Sequence, residues 1–316
     1  MASLVSIIIP CYNAERWIAQ AIQSALDQTW PNKEIIVIDD GSKDSSLDAL
    51  NAFGEKIRFE SGPNRGGCAA RNRGIEMARG DWVQFLDADD VMLPDCIAAK
   101  MATPHAANER VCCAVAVLES ELLGHISDGL NLKRYETTDI IRIGTPQTSQ
   151  PLHRREDLLK VNGFRIGLPC AQEFDLHLRM AVQLGLILVS HGKTGVLLRQ
   201  RKGSVSDLGH YEMPLVHGQI VLNALNLIKT SECDRDRCVD AAAQRLALLG
   251  RQLHRMGRPE EATRFADEAK RISKRWYGGV YKSWPATVLA RTIGFAAFES
   301  LHTLYRTFRG KRSFRV

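Results

Sequence analysis

The chain has 316 residues, of which 45% are hydrophobic and 25% are charged. This length and composition exclude a disordered or low-complexity chain, and they suffice for one large α/β domain with appendages or for two modest domains. The net charge of +6 is local, because residues 251–316 contain 15 Lys or Arg against 5 Asp or Glu, a balance of +10 that leaves −4 on residues 1–250.

The beginning of the chain and its cysteines indicate a protein of the reducing cytoplasm. The first ten residues, MASLVSIIIP, lack a basic stretch, and their apolar run is too short for a signal peptide or a membrane-spanning helix. The eight cysteines form no CxxC pair and show no spacing typical of metal ligands or of a disulfide framework. We therefore expect a cytoplasmic location.

Short apolar runs alternate with helical patterns over the first hundred residues. Continuous apolar runs, of the kind found in parallel strands covered on both faces, predict strands at 5–9 and 34–39. Further strands are expected at 57–61 and 82–86. Apolar residues at helical spacing predict a helix over 17–26, with Asn13 placed to cap its start, and another over 69–78. The alternation indicates a parallel, doubly wound sheet.

The rest of the chain is less regular and then becomes helical. Residues 195–198 predict a further strand, and helical spacing predicts helices at 156–161, 174–184, 241–256 and 260–272. The last two helices are expected to form a hairpin, because only a short GRPEE segment joins them. We therefore divide the chain into the regions 1–100, 101–206 and 207–316.

Polar motifs follow three of the predicted strands. They are PCYN at 10–13, DDGS at 39–42 and DADD at 87–90. Ligands of an open α/β sheet bind beyond the carboxyl ends of its strands, so the three motifs are expected to share one edge. Taken singly, DDGS is a common turn, and Asp89 and Asp90 serve equally well as caps of a helix beginning near Pro94. Three motifs in register favour a binding site over three independent turns.

The motifs indicate a metal and phosphate site. No GxGxxG follows the first strand, which argues against a dinucleotide redox cofactor. GPNRGG at 62–67 is not a Walker loop either. Two carboxylates two residues apart, Asp87 and Asp89, suit Mg²⁺ or Mn²⁺, with water and phosphate oxygens completing the octahedron. Such a cation would neutralise a diphosphate leaving group.

Long segments of the chain resemble a known enzyme family. Two of them, VSIIIPCYNAERWIAQAIQSALDQTWPNKEIIVIDDGSKDSS and NRGGCAARNRGIEMARGDWVQFLDADDVMLPD, fall within residues 4–95. They are similar to the donor-binding half of the inverting glycosyltransferase family 2. A third, AQEFDLHLRMA at 171–181, resembles the acceptor-side segment of that family. The resemblance therefore covers residues 4–206.

The resemblance implies a fold and an activity. The fold is GT-A, an α/β fold with a Rossmann-like, doubly wound and mostly parallel sheet, here followed by a C-terminal helical appendage. The activity is transfer of a sugar from a nucleoside-diphosphate donor, with a UDP-sugar favoured, to a hydroxyl of a saccharide or lipid-linked saccharide. Mn²⁺ or Mg²⁺ is the implied cofactor, and bacterial surface polysaccharide or glycolipid synthesis is the implied setting.

The resemblance also implies which residues contact the donor. They come from the three motifs and from two basic segments: Pro10, Tyr12, Asn13, Asp40, Arg71, Asp87, Ala88, Arg199 and Arg201. Asp40 is expected at the base, Arg71 is expected to support the nucleotide, and the last two arginines are expected at the diphosphate. The alternative for Arg199 and Arg201 is a position in a solvated basic loop without a ligand. Asp89 would ligate the cation, with Asp87 at the ribose or at the hydration shell of the cation and Asp90 assisting.

The general base is expected at Glu173, where this chain departs from the family. The family usually has Glu-Asp at this point, and this chain has Gln172-Glu173, so the carboxylate is one methylene longer. A carboxylate of either type can accept the acceptor hydroxyl's proton while that oxygen attacks the anomeric carbon opposite the departing diphosphate. Asp175 is the second candidate base. The alternative for Glu173 is a first-turn helix residue stabilised by the helix dipole. Three further residues, His153, Arg154 and Arg155, are expected either to contact the acceptor or to lie on the surface.

The C-terminal region predicts a surface contact. Residues 285–308 have one broad apolar face and precede a basic terminus, so they fit either a peripheral contact with an anionic membrane or packing against protein. Nucleic acid is disfavoured, because no stacking platform accompanies the basic residues. Two other functions stay open: a metal-dependent nucleotidyl- or phosphotransferase using the same edge, and a scaffold that binds a nucleotide sugar without turnover.

Overall fold

The computed structural model describes residues 2–119, 122–123, 134–199, 212–228, 234–276 and 299. The chain forms two compact units. The first unit contains residues 1–137 and 145–204, and the second unit contains residues 138–144 and 205–316. The resemblance also implies that residues 1–100 bind the donor and that residues 101–206 bind the acceptor and carry the base, and this division stays a prediction.

The first unit contains both strands and helices, and the second unit is helical where it is described. The strands are, in chain order, β1 (Val5–Cys11), β2 (Lys33–Asp39), β3 (Arg58–Ser61), β4 (Trp82–Phe85), β5 (Val91–Met92), β6 (Glu109–Glu119), β7 (Leu122–Leu123), β8 (Arg134–Tyr135), β9 (Leu152–Arg154) and β10 (Ile187–Arg199). The α-helices are α1 (Ile18–Leu26), α2 (Ser46–Asn51), α3 (Gly67–Met77), α4 (Cys96–Ala102), α5 (Thr137–Ile143), α6 (Arg155–Lys160), α7 (Gln172–Leu184), α8 (Met213–Ile228), α9 (Arg235–Arg255) and α10 (Pro259–Ile272).

The central sheet of the first unit has the strand order β3-β2-β1-β4-β9. β1 pairs in parallel with β2 and β4, β2 pairs in parallel with β3, and β9 runs antiparallel to β4. Ile7 of β1 belongs to a buried cluster with Ile18 of α1, whereas Ile8 belongs to another with Ile75 of α3. Successive side chains of a strand point to opposite faces, so helices cover both faces of the sheet. The predicted parallel, doubly wound sheet is confirmed.

A second sheet is built on β10, with the order β5-β10-β6-β7 and with β8 also paired to β10. The sequence predicts a strand at 195–198 alone, because the polar run SHGKT at 190–194 interrupts the apolar pattern of β10. Gly195 permits close packing at this point, since a Cβ there would lie 2.7 Å from Cys113 Cβ and 2.8 Å from Cys96 Sγ. β10 ends at Arg199 and thereby carries this residue to the DADD loop.

Helices α9 and α10 of the second unit form the predicted hairpin, which is confirmed. Its buried residues are mostly small and apolar, including Ala242, Leu246, Ala262, Phe265 and Ala266. The side chain of Asp234 accepts a hydrogen bond from the backbone N–H of Arg237 and so caps α9. Among the described helices, none is long and apolar enough to cross a membrane.

The predicted amphipathic helix at 285–308 lies outside the described residues, apart from Glu299. The Glu299 side chain is fully buried, and its Oε1 lies 3.1 Å from Nε of Arg251 in α9. This position of the segment therefore contacts protein. The membrane contact of the segment stays a prediction.

Two buried histidines stack on each other in the core of the first unit. His153 of β9 and His177 of α7 have ring centroids 5.3 Å apart, and no described residue forms a hydrogen bond with any of their ring nitrogens. His153 was expected at the acceptor or on the surface, and it is instead fully buried. Burial lowers the pKa of His177 to about 3, with the Arg179 charge adding to the effect. Burial, then the neighbouring charges of His177, Arg110 and Lys100, lowers the pKa of His153 well below its ordinary value.

This pair predicts a loss of stability in mild acid. In the unfolded chain each histidine takes up a proton near pH 6.5, whereas in the folded protein both stay neutral well below that pH. The free energy of unfolding should therefore fall as the pH drops below about 6.5, by up to about 1.4 kcal/mol per pH unit for each histidine. Urea denaturation of His177→Leu at about pH 7 and about pH 5 should show a smaller difference than in the wild type. His105→Gln is the control, and equal differences for His177→Leu and the wild type would contradict the prediction.

Candidate functional site

The loops after β1 and β2 are hydrogen-bonded to each other. Asn13 has a left-handed φ of 48°, its Oδ1 accepts from the backbone N–H of Lys43 at 2.8 Å, and its own N–H donates to Ser42 Oγ at 3.0 Å. Gly41, with φ of 77°, sits so close to the next loop that a Cβ would lie 2.8 Å from the backbone N of Asn64. The PCYN and DDGS motifs therefore meet at one edge, as their positions after neighbouring parallel strands predict.

Both aspartates of DDGS order the loops around them. Asp39 accepts from the hydroxyl of Ser61 at 2.6 Å and from the backbone N–H of Ser42 at 3.2 Å. The two oxygens of Asp40 accept from the backbone N–H groups of Arg65 at 2.7 Å and Gly66 at 2.8 Å. Because α3 begins at the next residue, Asp40 fixes the start of the helix that carries Arg71.

Arg71 links the DADD loop to α7. Its Nη2 donates to Asp87 Oδ1 at 2.6 Å, and its Nη1 donates to Gln172 Oε1 at 2.9 Å. The guanidinium also lies over the ring of Phe164, with Cζ 5.4 Å from the ring centroid. Arg71 is 9% exposed, so its charge is largely withdrawn from water and depends on these partners.

Glu173, next to Gln172, is a half-buried carboxylate within the influence of the same charges. Burial raises the pKa of Glu173, the Arg71 charge opposes that rise, and the Asp87 charge adds to it. A carboxylate with a raised pKa is a stronger base than an ordinary glutamate at neutral pH. The candidate base from the acceptor-side segment therefore lies near the first aspartate of DADD.

Asp175, the second candidate base, occupies a different setting. It is 2% exposed, and its two oxygens lie 2.7 Å from Arg179 Nε and 3.1 Å from Arg165 Nε. Arg179 also donates to the backbone oxygens of Val161 at 2.5 Å and Gly163 at 2.7 Å. Asp175 thus ties α7 to the segment that precedes it.

The DADD loop is held by the end of β10. The backbone N–H of Arg199 donates to Asp90 Oδ1 at 3.0 Å, and its Nε donates to the backbone oxygen of Asp89 at 3.0 Å. Nη2 of Arg199 donates to Gln20 Oε1 at 2.7 Å. Burial, together with the charges of Asp87 and Asp89, raises the pKa of Asp90 well above its ordinary value. Arg199 and Asp89 are thus brought together, whereas Arg201 lies outside the described residues.

The acidic loop offers oxygen ligands for a cation. Within the described part of the chain there is no group of three or more His, Cys, Asp or Glu side chains arranged to hold a metal ion. Asp87 Oδ1 is already paired with Arg71 Nη2 at 2.6 Å. A hard cation at this loop prefers oxygen ligands. Such a cation would need most of its oxygens from water and from a phosphate ligand.

Two residues of the site, Asn72 and Phe164, are not predicted from the sequence. Asn72, directly after Arg71, donates to the backbone oxygen of Phe164 at 2.8 Å and accepts from its N–H at 2.7 Å. These bonds hold the Phe164 ring beside the Arg71 guanidinium. The partners are 92 residues apart, and nothing local in the sequence connects them.

Part of the first unit is similar to known proteins. A profile of glycosyl transferase family 2 matches residues 6–146. An uncharacterized glycosyltransferase of Haemophilus influenzae is 46% identical over 96 residues, which is 29% of this chain and 38% of that protein. The glycosyltransferase GlyG of Streptococcus pneumoniae is 36% identical over 96 residues, 29% of this chain and 32% of that protein. The match thus spans about a third of the length of each relative.

Solved structures establish the fold. TarS of S. aureus in complex with UDP-GlcNAc superposes with a TM-score of 0.71 and 17% identity, over 96% of this chain and 91% of that one. The mannosyltransferase PcManGT of Pyrobaculum calidifontis, in complex with GDP-Man and Mn²⁺, superposes with a TM-score of 0.56 and 17% identity, over 96% and 82% of the two chains. The predicted GT-A fold is confirmed by this likeness.

The setting of Asp175 predicts a structural role. Asp175→Asn leaves two arginines without their carboxylate, so the free energy of unfolding should fall by about 3 kcal/mol. Chemical denaturation measures this change. Glu76→Gln, which removes an exposed ion pair with Arg73, is the control and should change stability by less than about 1 kcal/mol. A stable Asp175→Asn variant that has lost turnover would contradict the structural role.

Proposed function

We propose that the chain, whose residues 6–146 match the model of glycosyl transferase family 2, transfers a sugar, with inversion, from a nucleoside-diphosphate donor to an acceptor hydroxyl. The observation that carries the proposal is the Arg71 bridge, with 2.6 Å to Asp87 and 2.9 Å to Gln172. It brings the acidic loop after β4 and the first turn of α7 to one place. A transfer reaction needs a donor group and a base in such proximity.

On the donor side, we assign the nucleoside to the loops after β1 and β2. Tyr12 is 47% exposed, so its ring is accessible for stacking on a base, beside Pro10 and Asn13. Each oxygen of Asp40 accepts one backbone N–H and retains a second lone pair for a donor group of the base. The UDP-GlcNAc and GDP-Man complexes of the structural neighbours support a nucleotide sugar as ligand. A UDP-sugar remains our favoured donor.

We assign the diphosphate and a divalent cation to the DADD loop. Asp89 would hold Mn²⁺ or Mg²⁺, with Asp87 at the ribose or at the hydration shell of the cation, and Ala88 between them. When bound, the cation would offset the charge of the departing diphosphate. Arg199 lies against the backbone of Asp89, and a guanidinium at this position suits phosphate oxygens. Arg201 would extend the same basic edge.

We assign the general base to Glu173. Its carboxylate accepts the proton of the acceptor hydroxyl while that oxygen attacks the anomeric carbon, and the bond to the diphosphate breaks on the opposite face. The raised pKa of Glu173 suits this task near neutral pH. Asp175 is disfavoured, because two arginines occupy its oxygens. A saccharide or lipid-linked saccharide is the proposed acceptor.

Removal of the base should separate binding from turnover. In Glu173→Gln, turnover should fall at least about a hundredfold, since the amide cannot accept the proton, while donor binding persists. Turnover is measured as the release of nucleoside diphosphate in the presence of each member of a panel of saccharide acceptors. Glu156→Gln is the control, because Glu156 is an exposed glutamate in the first turn of α6.

Other outcomes of this experiment identify the alternative functions. A nucleotidyl- or phosphotransferase would keep most of its turnover in Glu173→Gln, because its reaction needs no acceptor-side carboxylate. A scaffold would bind the donor, and the wild-type protein would release no nucleoside diphosphate with any acceptor. Either result would contradict the proposed transfer.

Removal of the proposed cation ligand should abolish metal-dependent donor binding. With Mn²⁺ present, one of the UDP-, GDP- and dTDP-sugars at about 100 times its Kd should raise Tm by about 5 °C, since a ligand stabilises the state that it binds. Asp89→Asn should lose this shift. Asp95→Asn, an exposed aspartate that accepts from Thr29, should keep it. The assignment fails if Asp89→Asn gives the same Mn²⁺-dependent shift as the wild type.

A further inference from the structure

The first turn of α7, which carries Glu173, begins at a strained residue. Ala171 has φ of 56° and ψ of 34°, the left-handed conformation, and no side chain caps the helix there. A residue with a Cβ avoids this conformation unless its surroundings hold it. Strain of this kind recurs where a functional side chain must be held in one position. The contacts around Ala171 therefore matter for the position of Glu173.

Gln172 is held at both ends of its side-chain amide. Its Oε1 accepts from Arg71 Nη1 at 2.9 Å, and its Nε2 donates to the backbone oxygen of Leu168 at 3.4 Å. Arg71 is itself fixed by Asp87 and by the ring of Phe164. Through Gln172, the strained turn is thus connected to the acidic loop after β4.

The contacts of Asp175 hold the same turn from its other side. The backbone N–H of Asp175 donates to the oxygen of Ala171 at 3.1 Å, and its carboxylate pairs with Arg165 and Arg179. These bonds join α7 to the segment that precedes it. They do not reach Asp87, so they fix the helix without setting its distance from the acidic loop.

We propose that Gln172 is a positioning residue, whose bond to Arg71 maintains the left-handed turn at Ala171 and thereby sets the Glu173 carboxylate relative to Asp87 and Asp89. The proposal rests on the proposed role of Glu173 as base. The side-chain oxygen of Gln172 supplies the second acceptor that the Arg71 guanidinium needs beside Asp87. The positive charge of Arg71 then remains directed at Asp87 and Glu173.

A set of variants at positions 171 and 172 tests this role. Gln172→Met removes both hydrogen bonds at similar size, and kcat should fall at least about tenfold while the donor KM changes less than about twofold. Gln172→Glu keeps an oxygen acceptor for Arg71, so kcat should stay within about threefold of the wild type. Gln183→Met, the same change at an exposed position of the same helix, should leave kcat unchanged.

A second substitution tests the part played by the strained turn. Glycine adopts the left-handed conformation without strain, so Ala171→Gly added to Gln172→Met should raise kcat at least about threefold over Gln172→Met alone. The positioning role is overturned if Gln172→Met keeps the wild-type kcat. It is also overturned if kcat, donor binding and Tm fall together and neither Gln172→Glu nor the added glycine restores them. If Glu173→Gln itself retains turnover, the assigned base is wrong, which is a separate result.

Discussion

The candidate site depends on the burial of one guanidinium. Arg71 is 9% exposed, and a charge withdrawn from water in this way must be matched by a counter-charge and by hydrogen-bond acceptors. Asp87 supplies the charge, Gln172 supplies a second acceptor, and Phe164 supplies an aromatic face. Because these three residues come from the end of β4, from α7 and from the segment before it, satisfying Arg71 brings the parts of the site together.

The surrounding contacts keep these parts in register. Asp40 fixes the start of α3 and thus the helix on which Arg71 lies. Arg199 fixes the DADD loop from the end of β10. The result is a group of carboxylates at close quarters, and their mutual repulsion contributes to the raised pKa of Asp90 and of Glu173. The carboxylates at this edge of the sheet suit a divalent cation and a ligand that binds together with the cation.

Local signals in the sequence predicted the four parallel strands β1 to β4 and the edge that their polar motifs share. The continuous apolar runs of β1 and β2 are characteristic of a sheet covered on both faces, and three polar motifs after parallel strands must meet at one edge. Interactions between distant residues were not predictable. Nothing near Arg71 indicates Gln172, which lies 101 residues away. The pair of Asp175 with Arg179 differs, because a helix brings residues at this spacing together. His153 resembled a surface residue because its short strand, β9, lacks an apolar pattern.

The most direct measurement is a crystal structure of the protein with Mn²⁺ and an unreactive analogue of the nucleotide sugar that stabilises it. The account predicts an anomalous Mn²⁺ peak within about 2.5 Å of an Asp89 oxygen, in contact with the diphosphate. It also predicts the Glu173 carboxylate on the far side of the anomeric carbon from the diphosphate, with room for one hydroxyl between them. A diphosphate bound away from the DADD loop, or a Glu173 side chain on the leaving-group side, would contradict it.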